Sequence, residues 1–156
     1  MAKYPVVRLD NMQGTHDGTK LNSAVLVGAK EPIVNGTVVQ LGGLKAGERE
    51  IFEATLASEE GKPMYLVACP EVMYEESKSQ LTDFVNDPEA TLRVYRFCEN
   101  DVFSLTAEYF GESLPAKGAA MGVTDGKIVA DGTLALGTCI DVEVVGSLTY
   151  YVIKVA

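Results

Sequence analysis

The sequence predicts a β-rich protein, all-β or α+β with strands dominant, folded as a compact antiparallel barrel or sandwich with one short helix at about residues 76–85. Three observations predict it. Short β-branched, aromatic or alternating runs recur between Gly, Asn and Asp turns from residue 37 to the C-terminus. Helical spacing of apolar residues occurs only once, where Leu81, Phe84 and Val85 stand at i, i+3 and i+4. No strand is followed by the longer amphipathic segment that a parallel βαβ layout requires. The chain has 156 residues, 47% hydrophobic and 22% charged, which is enough to bury one core without disulfide or metal.

Residues 1–22 differ in texture from the rest. Tyr4-Pro5-Val6-Val7-Arg8-Leu9 begins apolar, and the chain then turns polar and Gly-rich from Asp10 to Gly18. Residues 1–22 read as an extended N-terminal arm or loop ahead of a single β-rich domain over 23–156, or, for Val6 to Leu9, as the first strand of that domain. Beyond it, residues 37–41 lie between Asn35-Gly36 and Gly42-Gly43, and residues 51–56 alternate as a half-wet strand does. Residues 63–68 are apolar almost throughout, which suits a strand covered on both faces. Residues 92–97 alternate, and residues 102–106 follow the polar turn Glu99-Asn100-Asp101, so these two runs are expected to pair as a hairpin.

The expected helix stops at Asp87-Pro88, because proline disfavours a helical residue before it. Asp125-Gly126 marks a hairpin between residues 121–123 and 127–129, and Asp131-Gly132 marks the next turn. Residues 139–145 alternate with Asp141 and Glu143 outward. After Gly146-Ser147 they are expected to pair with the long terminal run 148–155, whose Tyr150 and Tyr151 take opposite faces.

Charge narrows the partners. With 22 acidic and 13 basic residues the formal net charge is −9, and the second half of the chain is the more acidic. Nucleic-acid binding needs lysine or arginine to displace counterions from phosphates, and anionic membranes attract the same residues, so neither is an expected partner. No apolar run approaches the ~20 residues that span a bilayer, and Met1-Ala2-Lys3-Tyr4-Pro5 carries no apolar leader core.

Chemistry-bearing motifs are sparse. Cys69, Cys98 and Cys139 are odd in number and far apart, each in an apolar stretch, and read as small buried hydrophobes in a reducing compartment. His16 is the one histidine, set in a Gly-rich polar segment that gives a nucleophile–base pair no fixed geometry. The acidic run from Asp10 to Asp17 lacks calcium-loop spacing, and no phosphate loop or dinucleotide fingerprint is present. The expectation is therefore a protein that is not an enzyme, with no catalytic, metal or cofactor-binding residue and no cofactor.

The order of the segments resembles something more specific. Val34-Asn35-Gly36-Thr37-Val38-Val39-Gln40-Leu41-Gly42 is followed by Met64-Tyr65-Leu66-Val67-Ala68-Cys69-Pro70-Glu71-Val72-Met73-Tyr74-Glu75. Then come Leu92-Arg93-Val94-Tyr95-Arg96-Phe97, Asp101-Val102-Phe103-Ser104-Leu105-Thr106 and the terminal Tyr150-Tyr151-Val152-Ile153-Lys154-Val155. In order and spacing this succession, over about residues 33–156, resembles the decoration (cement or auxiliary head) proteins of tailed-bacteriophage capsids. The resemblance rests on texture and carries no residue-level motif. It implies a structural virion protein made in the host cytoplasm and bound to the capsid exterior, where it bridges subunits of the major capsid protein, alone or as a homo-oligomer. If the N-terminal segment orders on binding, Tyr4, Val6, Val7 and Leu9 are its candidate capsid-interface anchors. A tail or baseplate component, or a β-barrel that binds a small ligand or carbohydrate, is the alternative.

Overall fold

A computed structural model describes residues 3–75, 77–78 and 80–156. Its described residues are organised around two sheets. The first is a six-stranded antiparallel sheet built from β1 (Val7–Asn11), β7 (Val102–Thr106), β8 (Ala120–Thr124), β9 (Lys127–Ala130), β10 (Leu134–Val145) and β11 (Leu148–Val155), in the order β1-β7-β11-β10-β8-β9. The second is a closed five-stranded barrel of β2 (Leu21–Leu26), β3 (Val38–Leu44), β4 (Ile51–Leu56), β5 (Tyr65–Val67) and β6 (Leu92–Arg96), in the order β2-β4-β3-β5-β6. Closure comes from the antiparallel pair β2–β6, while β2 and β4 run parallel, so the barrel departs from the fully antiparallel layout expected.

The barrel is inserted into the sheet, between β1 and β7. Leu21, its first strand residue, pairs with Tyr95 near its last, so the chain enters and leaves the barrel at one place.

Side-chain alternation explains why so many barrel residues are apolar on both faces. Val39, Ala54, Val67, Leu92 and Val94 fill the barrel interior together with Ala24 and Ile33. Their neighbours Val38, Leu66 and Tyr95 point the other way, into a second cluster with Phe103, Leu105, Ile128, Tyr151 and Ile153 of the sheet. The uninterrupted apolar run of residues 63–68 thus sits in β5 between two cores, as a doubly covered strand should.

Both C-terminal hairpins form as expected. Asp125 (φ +48°) and Gly126 (φ +78°) supply the positive φ angles of a tight β8–β9 turn, and Gly146 (φ +60°) turns β10 into β11. Two other expectations are corrected. β6 and β7 do not pair: β6 lies between β2 and β5, and β7 between β1 and β11. The Asp101 carboxylate explains the turn between them. Buried at 3% exposure, it accepts the Cys98 N–H at 2.8 Å and the Gln13 N–H at 2.9 Å, directing the chain out of the barrel and towards the sheet.

The helix at 76–85 is the second correction, although Glu76 and Ser79 lie outside the described residues. Leu81–Asp83 is a single 3₁₀ turn with Leu81 exposed and Thr82 and Asp83 buried, the reverse of the expected amphipathic pattern. The segment's polar groups are engaged elsewhere. Asp83 accepts the Gln80 N–H at 3.1 Å and pairs with Lys3, and the Thr82 carbonyl accepts the Tyr4 N–H at 2.7 Å. The short helix is instead α1 (Ala107–Phe110), one turn directly after β7.

Candidate functional site

The N-terminal residues singled out in the sequence are part of the fold. Val6 is buried, with its N–H bonded to the Thr106 hydroxyl at 2.9 Å. Val7 pairs with Leu105 in β1–β7, and Val7 and Leu9 pack half-buried against the shared core. Tyr4 is half-buried beside the junction of sheet and barrel. Val7 and Leu9 therefore lie in β1, a strand of the six-stranded sheet that pairs with β7. Met12, fully buried, anchors the polar stretch that follows.

The junction is a hydrogen-bonded lock centred on Tyr109 of α1. Its hydroxyl donates to the Gly36 carbonyl at 2.9 Å, just ahead of β3, and accepts the Ile128 N–H of β9 at 2.8 Å. Burial pushes this phenol well above its usual pKa, offset only in part by the Ile128 N–H. Beside it Gly126 of the β8–β9 turn bonds to the barrel where β3 begins and β4 ends. The Val38 N–H donates to the Gly126 carbonyl at 2.8 Å, and the Gly126 N–H to the Ala57 carbonyl at 3.0 Å. An open cleft of about 380 Å³ lies here, with Lys3, Tyr4, Glu108, Asp125 and Lys127 on its walls.

A smaller cleft of about 180 Å³ is bordered by Val7, Leu9, Asn35, Cys69, Arg93 and Tyr95. Buried Asn35 sets its floor: its amide exchanges two hydrogen bonds with the Cys69 backbone, both at 3.0 Å, and its oxygen also accepts from Asn86. Burial raises the pKa of the Cys69 thiol, which disfavours the reactive thiolate. Cys69 and Cys98 are half-buried rather than fully so, and Cys139 is buried as expected. His16 is exposed, at the end of a 3₁₀ turn. Among the described residues no group of three or more His, Cys, Asp or Glu side chains is placed to hold a metal ion. Among the described residues no helix is long and apolar enough to cross a membrane.

The outstanding surface feature is the far end of the β10–β11 hairpin. β8 pairs with β10 only as far as Thr138, and β7 reaches β11 only from Tyr150 onward. Residues 141–149 therefore run past both neighbours as a two-stranded ribbon. Two ion pairs brace its base, Arg8 to Glu143 at 2.6 Å and Lys117 to Asp141 at 3.7 Å. Arg8 also bonds Asp10 and stands 4.6 Å over the Tyr150 ring; its own pKa is raised, chiefly by the Glu143 hydrogen bond.

The ribbon exposes Val142 within that base and Val144 (74% exposed) and Val145 (51%) beyond it, with Ile140 exposed at the bulge below. Contiguous exposed valines on a projecting ribbon are the surface a soluble domain normally charges or covers.

Comparison with protein-family models, with curated proteins and with solved structures gives no match for this chain. The reading of its site therefore rests on its own residues.

Sequence reasoning identified the hairpin and the outward acids but not its exposed apolar tip. Part of the signal was available: Asp141-Val142-Glu143-Val144 alternates acidic and apolar residues just before the turn. Strand pairing limits, however, are set by residues far away in sequence. Tyr109 was missed because nothing local marks a tyrosine whose two partners lie 73 and 19 residues away.

Proposed function

We propose that this chain is a structural, non-enzymatic virion protein that binds the outer surface of a tailed-phage capsid and stabilises it by bridging capsid subunits. The segments resembling decoration proteins supply the capsid as partner. The structural observation that carries the reading is the braced ribbon at 141–149, a stiff projection ending in valines suited to burial against another protein. A net charge of −9 fits a place away from packaged nucleic acid.

Energetically the role is one of linkage. A protein that binds only the assembled shell stabilises it by about 2.7 kcal/mol per site at a free concentration a hundredfold above Kd. The test is co-sedimentation with capsids that lack the protein, taken from the phage carrying the gene. Saturation at a fixed ratio to capsid subunits, with shells surviving more heat, is the expected result. Failure to bind mature shells refutes the proposal.

A second reading is favoured by the 380 Å³ cleft at the junction of sheet and barrel: a small-ligand site, since such sites form where structural units meet. It predicts a saturable, ligand-dependent rise in Tm in the absence of capsids.

A further inference from the structure

Asn35-Gly36 is the one Asn-Gly pair in the chain, and the fold needs both residues. Gly36 has φ +101°, and a Cβ there would stand 2.7 Å from the Tyr109 ring, so the position takes glycine alone. Asn35 is 2% exposed and matches the Cys69 backbone group for group. Its Nδ2 donates to the Cys69 carbonyl and its Oδ1 accepts the Cys69 N–H, each at 3.0 Å. Oδ1 also accepts from Asn86 Nδ2 at 3.0 Å.

The same pair is the asparagine sequence most prone to lose its amide. Once base removes its proton, the glycine nitrogen attacks Cγ of the asparagine side chain. The Cγ–Nδ2 bond then breaks, ammonia leaves, and a five-membered succinimide closes. Water opens that ring at either carbonyl, giving aspartate, or isoaspartate with the main chain routed through the side chain. Glycine favours closure because no side chain crowds the attacking nitrogen.

In the native fold every participant is engaged. The Gly36 N–H, whose proton must leave, donates to the Val67 carbonyl at 2.8 Å where β3 meets β5. The Gly36 carbonyl accepts the Tyr109 hydroxyl at 2.9 Å. Attack would make Cγ tetrahedral, taking Nδ2 and Oδ1 out of the plane in which they meet Cys69. Burial keeps base and water from the site as well.

We propose that Asn35-Gly36 is a deamidation site that the native fold silences, and that its conversion marks opening of the barrel at the start of β3 and weakens its reclosure. The inference rests on neither functional reading above. Weakened reclosure follows from the products. An aspartate carboxylate at this position faces the Cys69 carbonyl with no hydrogen between them, and isoaspartate adds a methylene to the main chain just ahead of β3. Either way the Cys69 carbonyl loses its donor in a buried place.

The test incubates the full chain at mildly alkaline pH, folded in buffer and unfolded in concentrated urea. Peptide mapping by mass spectrometry follows Asn35. Conversion of the folded chain should be at least about a hundredfold slower, because only opened molecules react. The chain aged in urea until Asn35 is partly converted is then brought to the natural protein's urea midpoint and digested briefly with a protease that cuts unfolded molecules. Converted chains should be depleted at least about tenfold among the survivors, as expected for a buried carbonyl left without its donor. Both kinds come from one sample, so other slow changes affect them equally.

Equal rates in buffer and urea, or no conversion in urea, overturn the silencing. Equal survival of converted and unconverted chains overturns the weakened reclosure. None of these outcomes involves a capsid or a ligand, so the functional readings stand or fall separately.

Discussion

Replacing Tyr109 with phenylalanine removes one oxygen and tests how sheet and barrel are joined. The ring stays packed against Phe110, 5.2 Å away between centroids, so little apolar burial changes. What is lost is the hydroxyl that serves the Gly36 carbonyl and the Ile128 N–H, in a position 6% exposed. Two hydrogen bonds, each contributing roughly 1 kcal/mol net, disappear, and a buried donor and acceptor lose their partner at about 1–3 kcal/mol apiece when nothing replaces it. Partial relaxation places the expected loss at about 2–4 kcal/mol.

For a chain of this size that lowers Tm by roughly 5–15 °C. Urea unfolding followed by tyrosine fluorescence and far-UV circular dichroism measures it, with an unchanged slope showing that the native core persists. The pH dependence supplies a second reading. The folded pKa of Tyr109 is raised above the unfolded value of about 10, so the unfolded chain alone releases this proton as pH climbs past 10. The natural protein should therefore lose stability above about pH 10 more steeply than Tyr109→Phe, and the gap between them should narrow there. A loss under about 0.5 kcal/mol at neutral pH would show that water or a shifted backbone serves both groups, and the lock would not be one.

Three further outcomes are expected. Asn35→Ala strips the Cys69 backbone of both partners and should cost about 2–4 kcal/mol, with hydrogen exchange at the Cys69 amide rising well before that of β7. Gly137→Ala puts a methyl group into the Lys154 carbonyl across β10–β11, backbone against backbone. It should abolish soluble expression or cost more than about 3 kcal/mol by urea titration, whereas Gly43→Ala, with open space around it, should be nearly silent. Cys139 should resist thiol reagents at pH 8 until the protein unfolds, because it is buried and burial raises its pKa; mass spectrometry after timed labelling checks this.

The parts of the fold legible in the sequence are those whose cause is local. Asp125-Gly126 and Gly146-Ser147 carry their turns in their own φ angles, and the apolar alternation on either side sets the register. The β6–β7 hairpin was misread because the turn at 99–101 is held by Asp101 reaching Gln13, a partner 88 positions back that no local pattern reveals. The same reason hid the barrel. Its parallel β2–β4 pair and its β2–β6 closure join segments whose own sequences fit any neighbour equally well. Apolar spacing at Leu81, Phe84 and Val85 suggested a helix, but two buried hydrogen-bonding residues, Thr82 and Asp83, sit on the face that spacing assigns to water. At the candidate site the composition of the ribbon was readable. Its exposure was not, since that depends on where β7 and β8 stop.

The insertion of the barrel into the sheet also bears on the order in which the chain assembles. β1 is synthesised first, but β7, its partner, begins 90 residues after β1 ends. Once β2 meets β6, the 76 residues from Leu21 to Arg96 act as a clasp, and only 14 residues outside it remain between the two strands. On a logarithmic closure law that shortening spares about 1.6 kcal/mol of chain entropy, close to a fifteenfold gain in the local concentration of β1 at β7. A growing chain therefore has reason to close the barrel while the C-terminal strands are still unmade, with its leading strand held nearby until they arrive.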